Sequence, residues 1–126
     1  MRRSREAERA DAVAAVRRAL EHRVTPGLRA VAVQVARPVI WTRFVHDAAP
    51  TPVEQDLAEA AAAEVGAELS GRWLSQVLVR HLAPGNPLVL EPGEEWAYVR
   101  PETRAQVHGP GDDRAVPPAT GGGEQD

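Results

Sequence analysis

The stretch LRAVAVQVARPVIWTRFVH, Leu28 to His46, decides how the rest of the chain is read. Its apolar residues alternate instead of recurring at every third or fourth position, and alternation marks a strand. Val31, Val33 and Val35 share one face of the first run; Leu28, Ala30 and Ala32 share the other. Pro38 marks a turn near Arg37. Val39 to His46 resumes the alternation, with Ile40 and Phe44 on one face and Val39, Trp41 and Val45 on the other. The connection is short, so the spacing predicts an antiparallel hairpin. Both runs are apolar on both faces. One face can pack on helices, and the other must be partly covered or left sticky.

Upstream, residues 4–22 read as a helix. Val13, Val16 and Leu20 form one stripe at helical spacing, flanked by Ala12 and Ala19. Ser4 can cap its start, and Glu6 and Glu8 suit the positive end of the dipole. Val24-Thr25-Pro26-Gly27 then breaks the pattern, because Pro cannot continue a helix. Downstream, Thr51-Pro52-Val53-Glu54 spells a capping box with Pro at the first helical position. It predicts a helix from Pro52 to about Leu69, closed by Ser70-Gly71. Arg72 to Leu82 reads as a third strand, with Trp73, Val77 and Val79 opposite Leu74, Leu78 and Leu82. After a Pro/Gly loop, Leu88-Val89-Leu90 is apolar enough to touch the core. Glu95 to Arg100 reads as a short fourth strand, with Trp96 and Tyr98 on one side.

The order α-β-β-α-β-β predicts an α+β fold: an antiparallel four-stranded sheet with both helices on one face. A single domain is expected over residues 1–102. From 103 to 126 Gly, Pro and charge dominate, and only Val107 and Val116 are there to bury, so a disordered tail is expected.

Composition excludes several classes of function. The chain has 126 residues and no Cys, which removes disulfides, thiolate catalysis and thiolate metal sites together. No phosphate-cradling Gly loop, nucleophile motif or paired His at metal spacing occurs, so no cofactor or metal is expected. All 15 basic residues are Arg. Beside so many alanines, that reads as the codon habit of a GC-rich genome. The net charge of −3 argues against direct nucleic-acid binding. No apolar run is long enough for a membrane span, and charges interrupt the N-terminal stretch where a signal peptide needs an apolar core. The sequence-based expectation is a cytoplasmic protein.

Candidate reactive groups are few. His46-Asp47 ends a strand, but neighbours in a strand point to opposite faces. His81 suits a general base only if a partner comes near, and Ser75 is too distant along the strand. Glu64 and Glu68 fall on the nominally buried stripe of the second helix, which calls for exposure or a partner such as Arg29 or Arg43. Ala48 to Gly71 holds Glu54, Asp56, Glu59, Glu64 and Glu68 and no base. That helix is either a solvated face or a docking surface for a basic protein, with Asp56 and Glu59 outward. Trp96, Tyr98 and Arg100 are residue types enriched in binding hot spots.

Several short motifs together resemble small bacterial immunity proteins of contact-dependent growth-inhibition systems. They are Val24-Thr25-Pro26-Gly27-Leu28-Arg29-Ala30-Val31, Arg43-Phe44 with Asp47, Glu64-Val65, and Glu95-Trp96-Ala97-Tyr98-Val99-Arg100, spread over roughly residues 20–100. The resemblance implies a non-catalytic protein that binds a cognate toxin domain, often a nuclease, and blocks it. It carries over neither toxin identity nor contact residues. Two other readings stand beside it: a small enzyme or ligand-binding domain using Glu64 and His81 in a pocket, and a structural homodimer that pairs exposed sheet faces.

Overall fold

Capping chemistry places both helices. Ser4 Oγ accepts the N–H of Ala7 at 3.0 Å and starts α1, Arg5–Ala19. Thr51 Oγ1 accepts the N–H of Glu54 at 3.1 Å, and Glu54 Oε1 accepts the N–H of Thr51 at 3.0 Å. That reciprocal pair starts α2, Pro52–Glu68, where the sequence predicts it. Thr51→Ala is expected to cost about 1 kcal/mol, because a helix-end N–H loses its acceptor. Urea denaturation measures this, and an unchanged midpoint would show that the cap does not hold the helix start.

The computed structural model describes residues 4–69, 73–101 and 107–108. The strands are β1, Leu28–Ala36; β2, Val39–His46; β3, Leu74–His81; β4, Leu88–Val89; β5, Glu94–Val99; and β6, Val107–His108. The main sheet has the order β3-β2-β1-β5, and β4 pairs with β6 in a small sheet of its own. The remainder of the expected tail lies outside the described residues.

The hairpin β1–β2 is antiparallel, as is β1–β5. β3, however, runs parallel to β2, which corrects the expectation of an all-antiparallel sheet. The cause is the intervening helix. The chain leaves β2 at His46, runs back along α2 and re-enters the sheet at the end where β2 began, so the next strand must be parallel. The sheet is mixed.

Two bulges rearrange the faces. Leu28 pairs with His46 and Ala30 with Val45, so Arg29 is an extra residue in β1. Val31 pairs with Tyr98 and Ala32 with Trp96, so Ala97 is an extra residue in β5. Each extra residue inverts the alternation beyond it. Leu28 therefore joins Val31 and Val33 in one core cluster, apart from Ala30. Tyr98 packs on that same cluster while Trp96 packs on the opposite one, which corrects their expected placement on one side.

The larger core lies between the helices and one face of the sheet. It joins Val13, Val16 and Leu20 of the α1 region and Val65 of α2 to Val31, Val33, Ile40 and Phe44. Ala12, Ala15, Ala19, Ala58 and Ala61 add little volume each, so helix and sheet backbones approach closely. Both helices thus serve one face. On the opposite face Ala30, Val45 and Leu88 form a smaller cluster with Leu82, Trp96 and Val99 packed against it. Leu88 does touch the core, whereas Val89 is exposed.

Candidate functional site

On the face away from the helices, Arg43 of β2 reaches across β1 to Glu94 of β5. The residue in its path is Ala32, paired with Arg43 on one side and Trp96 on the other, and its single methyl leaves room. Arg43 Nε donates to Glu94 Oε2 at 2.9 Å and Nη2 to Oε1 at 2.7 Å. Nη2 also donates to the Val89 carbonyl at 3.1 Å. The N–H of Glu91 donates to Glu94 Oε1 at 2.7 Å. The guanidinium lies 6.0 Å from the Trp96 ring centroid. Burial pushes the Glu94 carboxyl up, but the Arg43 and Glu91 hydrogen bonds outweigh it and hold the group below its ordinary value. The bond to Glu94 raises Arg43. Both stay ionised, and together they clamp the 89–94 segment onto the sheet.

At one end of the sheet the motifs Thr25-Pro26-Gly27, Asp47, Glu54 and Arg100 meet. Arg100 Nη1 donates to the Pro26 carbonyl at 2.7 Å and to Asp47 Oδ2 at 3.0 Å. The N–H of Asp47 donates to the Gly27 carbonyl at 2.9 Å, and Thr25 Oγ1 donates to Glu54 Oε2 at 3.0 Å. A Cβ on Gly27 would sit 3.1 Å from Glu54 Oε2 and 3.3 Å from Asp47 Oδ1, so a side chain there would push both carboxylates back by a few tenths of an ångström. The Thr51 N–H, helped by the Thr25 hydroxyl, holds Glu54 below its ordinary value.

His46 sits inside this cluster with 3% exposure. Its Nδ1 is 3.7 Å from Glu54 Oε2, and neither ring nitrogen has a hydrogen-bond partner among the described residues. Burial lowers its pKa from the ordinary 6.5, against opposing pulls from Glu54 and Asp47. The folded chain therefore holds His46 neutral, and as pH falls the unfolded chain takes up that proton first. Stability from this group is full above about pH 6.5 and declines below it. Denaturation at pH 7.5 and pH 5.5 should show the decline, and His46→Gln should flatten it. An equal slope in that variant would remove His46 as the cause.

The residues expected to bind a partner are dispersed. Asp56 and Glu59 are exposed on α2 and have no ion pair or hydrogen bond among the described residues. Trp96 and Tyr98 serve opposite faces, and Trp96 Nε1 is buried without a hydrogen-bond partner there. Arg100 is fixed by Pro26 and Asp47, so its charge is already committed.

Glu64 is exposed and pairs with Arg23 at 2.7 Å, and Glu68 pairs with Arg18. Neither uses Arg29 or Arg43, the partners expected for them. Their side of α2 faces α1. His81 ends β3, exposed, with no hydrogen bond or ion pair among the described residues, and Ser75 Oγ donates to the Ala62 carbonyl at 2.6 Å. The structure does not bring Glu64, Ser75 and His81 into one constellation.

Sequence reasoning offered Arg29 as a partner for the α2 carboxylates and missed that its side chain is fully buried. Its Nη1 donates to the carbonyls of Leu82 and Ala83, each at 3.0 Å. The signal was an Arg inside a run whose other polar residue is Gln34 alone. It also missed Glu94, which stands one residue before the expected strand.

An open cleft of about 510 Å³ lies beside Arg5, Glu8, Arg9, Arg37 and Gly93. Arg37 pairs with Glu8 and stacks 4.7 Å from the Trp73 ring centroid. Among the described residues no group of three His, Cys, Asp or Glu could hold a metal ion, and no helix is long and apolar enough to cross a membrane.

The family model described as MafI2 immunity protein matches residues 9–102, which takes in α1 from Arg9 onward, α2 and all of the main sheet. The chain belongs to the MafI2 immunity protein family. Family membership agrees with the resemblance to immunity proteins, and it names Maf where the motifs suggested contact-dependent growth inhibition. The Arg29, Asp47 and Arg100 contacts that shape the sheet end all lie inside the MafI2 match. No curated protein matches the chain. Among solved structures, a variant of the MamM CTD in a zinc form is similar to this MafI2 member at 24% identity. It covers 62% of this chain and 84% of that chain, with a TM-score of 0.36. At that score the likeness carries no argument about fold or function.

Proposed function

We propose that the chain binds a cognate toxin domain and neutralises it without catalysis, acting in the cytoplasm of the cell that makes it. The observation that carries this reading is the family match over residues 9–102. The dispersal of Glu64 and His81 supports a binding role over an acid-base one. The finer reading is a basic toxin, such as a nuclease, exchanged between touching cells. Exposed, and without an ion pair among the described residues, Asp56 and Glu59 supply the complementary charge. Residues 1–102 form the binding unit.

The test is co-expression with the toxin domain encoded beside this chain's gene. Growth should be restored, and the two proteins should form a complex. Toxicity that persists at full expression of this chain would sink the proposal. In that complex, Asp56→Lys with Glu59→Lys should leave stability within about 0.5 kcal/mol. It should slow association by about tenfold at low salt and weaken its salt dependence. An unchanged rate would make the acidic stretch of α2 an ordinary solvated face.

A further inference from the structure

Among the described residues β3 is bonded on one side only. The N–H of Leu74 donates to the Pro38 carbonyl at 2.8 Å and that of Leu82 to the His46 carbonyl at 2.9 Å. Along an unbroken parallel register from Leu74–Val39 to His81–His46, amide directions alternate residue by residue. Residues 74, 76, 78, 80 and 82 therefore aim their backbone groups at β2. Ser75, Val77, Val79 and His81 aim theirs outward, where no other backbone group meets them among the described residues. The one contact there is from Arg80 Nη1 to the Val79 carbonyl at 3.3 Å, made by the strand's own side chain.

Sheet edges are usually blunted by Pro, charged side chains, a bulge or a covering element. β3 has no Pro and no bulge within its eight residues, Arg80 is its one Arg, and Leu74 at its start is 58% exposed. The opposite edge differs. There α1 packs on β5, and Arg17 Nε donates to the Ala97 carbonyl at 3.1 Å.

The charge beside the free edge selects an occupant. Ala62 and Gly66 are the α2 residues against Ser75: one accepts from its hydroxyl, and a Cβ on the other would lie 3.2 Å from Ser75 Cβ. Glu59 stands seven residues before Gly66, on the same helix face and about 10 Å back along the axis. α2 starts at the His46 end of the sheet, so Glu59 lies beside the middle of β3. It is exposed and has no ion pair among the described residues. A second copy joining through this edge would bring Glu59 towards its two-fold mate. A strand carrying Arg or Lys on that side is complementary instead.

We propose that the toxin domain adds an extended strand to the free edge of β3, with cationic side chains facing α2. This rests on the immunity reading. Backbone pairing supplies the fit to the edge, and Glu59 selects the sign of the side chains that lie over it.

Amide-resolved hydrogen exchange tests the proposal, on the full chain alone and bound to an inactivated form of the toxin domain encoded beside its gene. Alone, the amides of 75, 77, 79 and 81 should exchange fast and those of 76, 78 and 80 slowly. In the complex the four fast amides should slow by at least about tenfold. Glu59→Arg should weaken the complex, while the free chain keeps its exchange pattern. If wild type forms no complex, the immunity reading falls and takes this proposal with it. If it forms and neutralises while the four amides stay fast, only the edge proposal is overturned. Slow exchange in the free chain also overturns it. Independence of concentration would then mean that the chain covers its own edge, and dependence on it would mean a second copy.

Discussion

Replacing Glu94 with Gln is expected to destabilise the fold by about 3 kcal/mol, because it strands a largely buried cation. The side chains of Arg43 and Glu94 are only 18% and 7% exposed, and the carboxylate takes both Arg43 bonds and the Glu91 N–H. The amide of Gln keeps the volume but has one acceptor oxygen and no charge. The net contribution of the pair is a separate quantity. Arg43→Met with Glu94→Met should lose less than Glu94→Gln alone, since an apolar replacement removes the desolvation cost of both ions. Because Glu94 is held below its ordinary value, the stability it contributes is present above the unfolded carboxyl range and lost as pH falls through the folded value. Urea melts of the two variants beside the unaltered chain decide the matter. A loss below about 0.5 kcal/mol for Glu94→Gln would place the pair with ordinary surface bridges.

Arg29→Leu should cost a similar amount, about 3 kcal/mol, by a different route. Arg29 is fully buried at the β1 bulge and holds the carbonyls of Leu82 and Ala83. Leu fills much of the volume but leaves both part-buried carbonyls without that donor, and an unsatisfied acceptor costs up to roughly 1–3 kcal/mol when water cannot reach it. Arg29→Lys should recover only part of the loss, because one ammonium lacks the planar fork. Burial lowers the pKa of Arg29, and the Arg100 charge adds to that, while Asp47 acts the other way. Limited proteolysis should find new cuts between Leu82 and Pro92 in Arg29→Leu. Intact resistance there, with unchanged stability, would show that the segment is held by Leu88 and the Arg43–Glu94 clamp alone.

What could be read from the sequence follows from locality. Thr51-Pro52-Val53-Glu54 placed the start of α2 to the residue, because a capping box is written in four consecutive positions. Pro26-Gly27 bounded β1 for the same reason. The direction of β3 was legible but misread: a strand, a helix and a strand in succession favour a parallel pair, and the hairpin reading was carried one step too far. The buried clamp was not legible. It depends on Ala32 lying between Arg43 and Trp96, and only register creates that neighbourhood. Exposure or an Arg partner was expected for Glu64 and both are found, but a helical wheel gives direction and not reach, so the partner is Arg23, just past α1, and not Arg29 or Arg43. Asp56 and Glu59 were read as outward, and they are exposed.

The extra residue at Ala97 bears on how relatives of this chain should be aligned. In a loop, a one-residue gap changes length and little else. Here, deleting that position would restore strict alternation and exchange the sides served by Trp96 and the residues before it relative to Tyr98 and Val99. A relative lacking it would have to pair its last strand in another register, or exchange apolar and polar positions throughout one half of that strand. A single gap opposite Ala97 is therefore a statement about which surface the family member presents, and column-by-column comparison of Trp96 with Tyr98 would mix residues from two sides of a sheet.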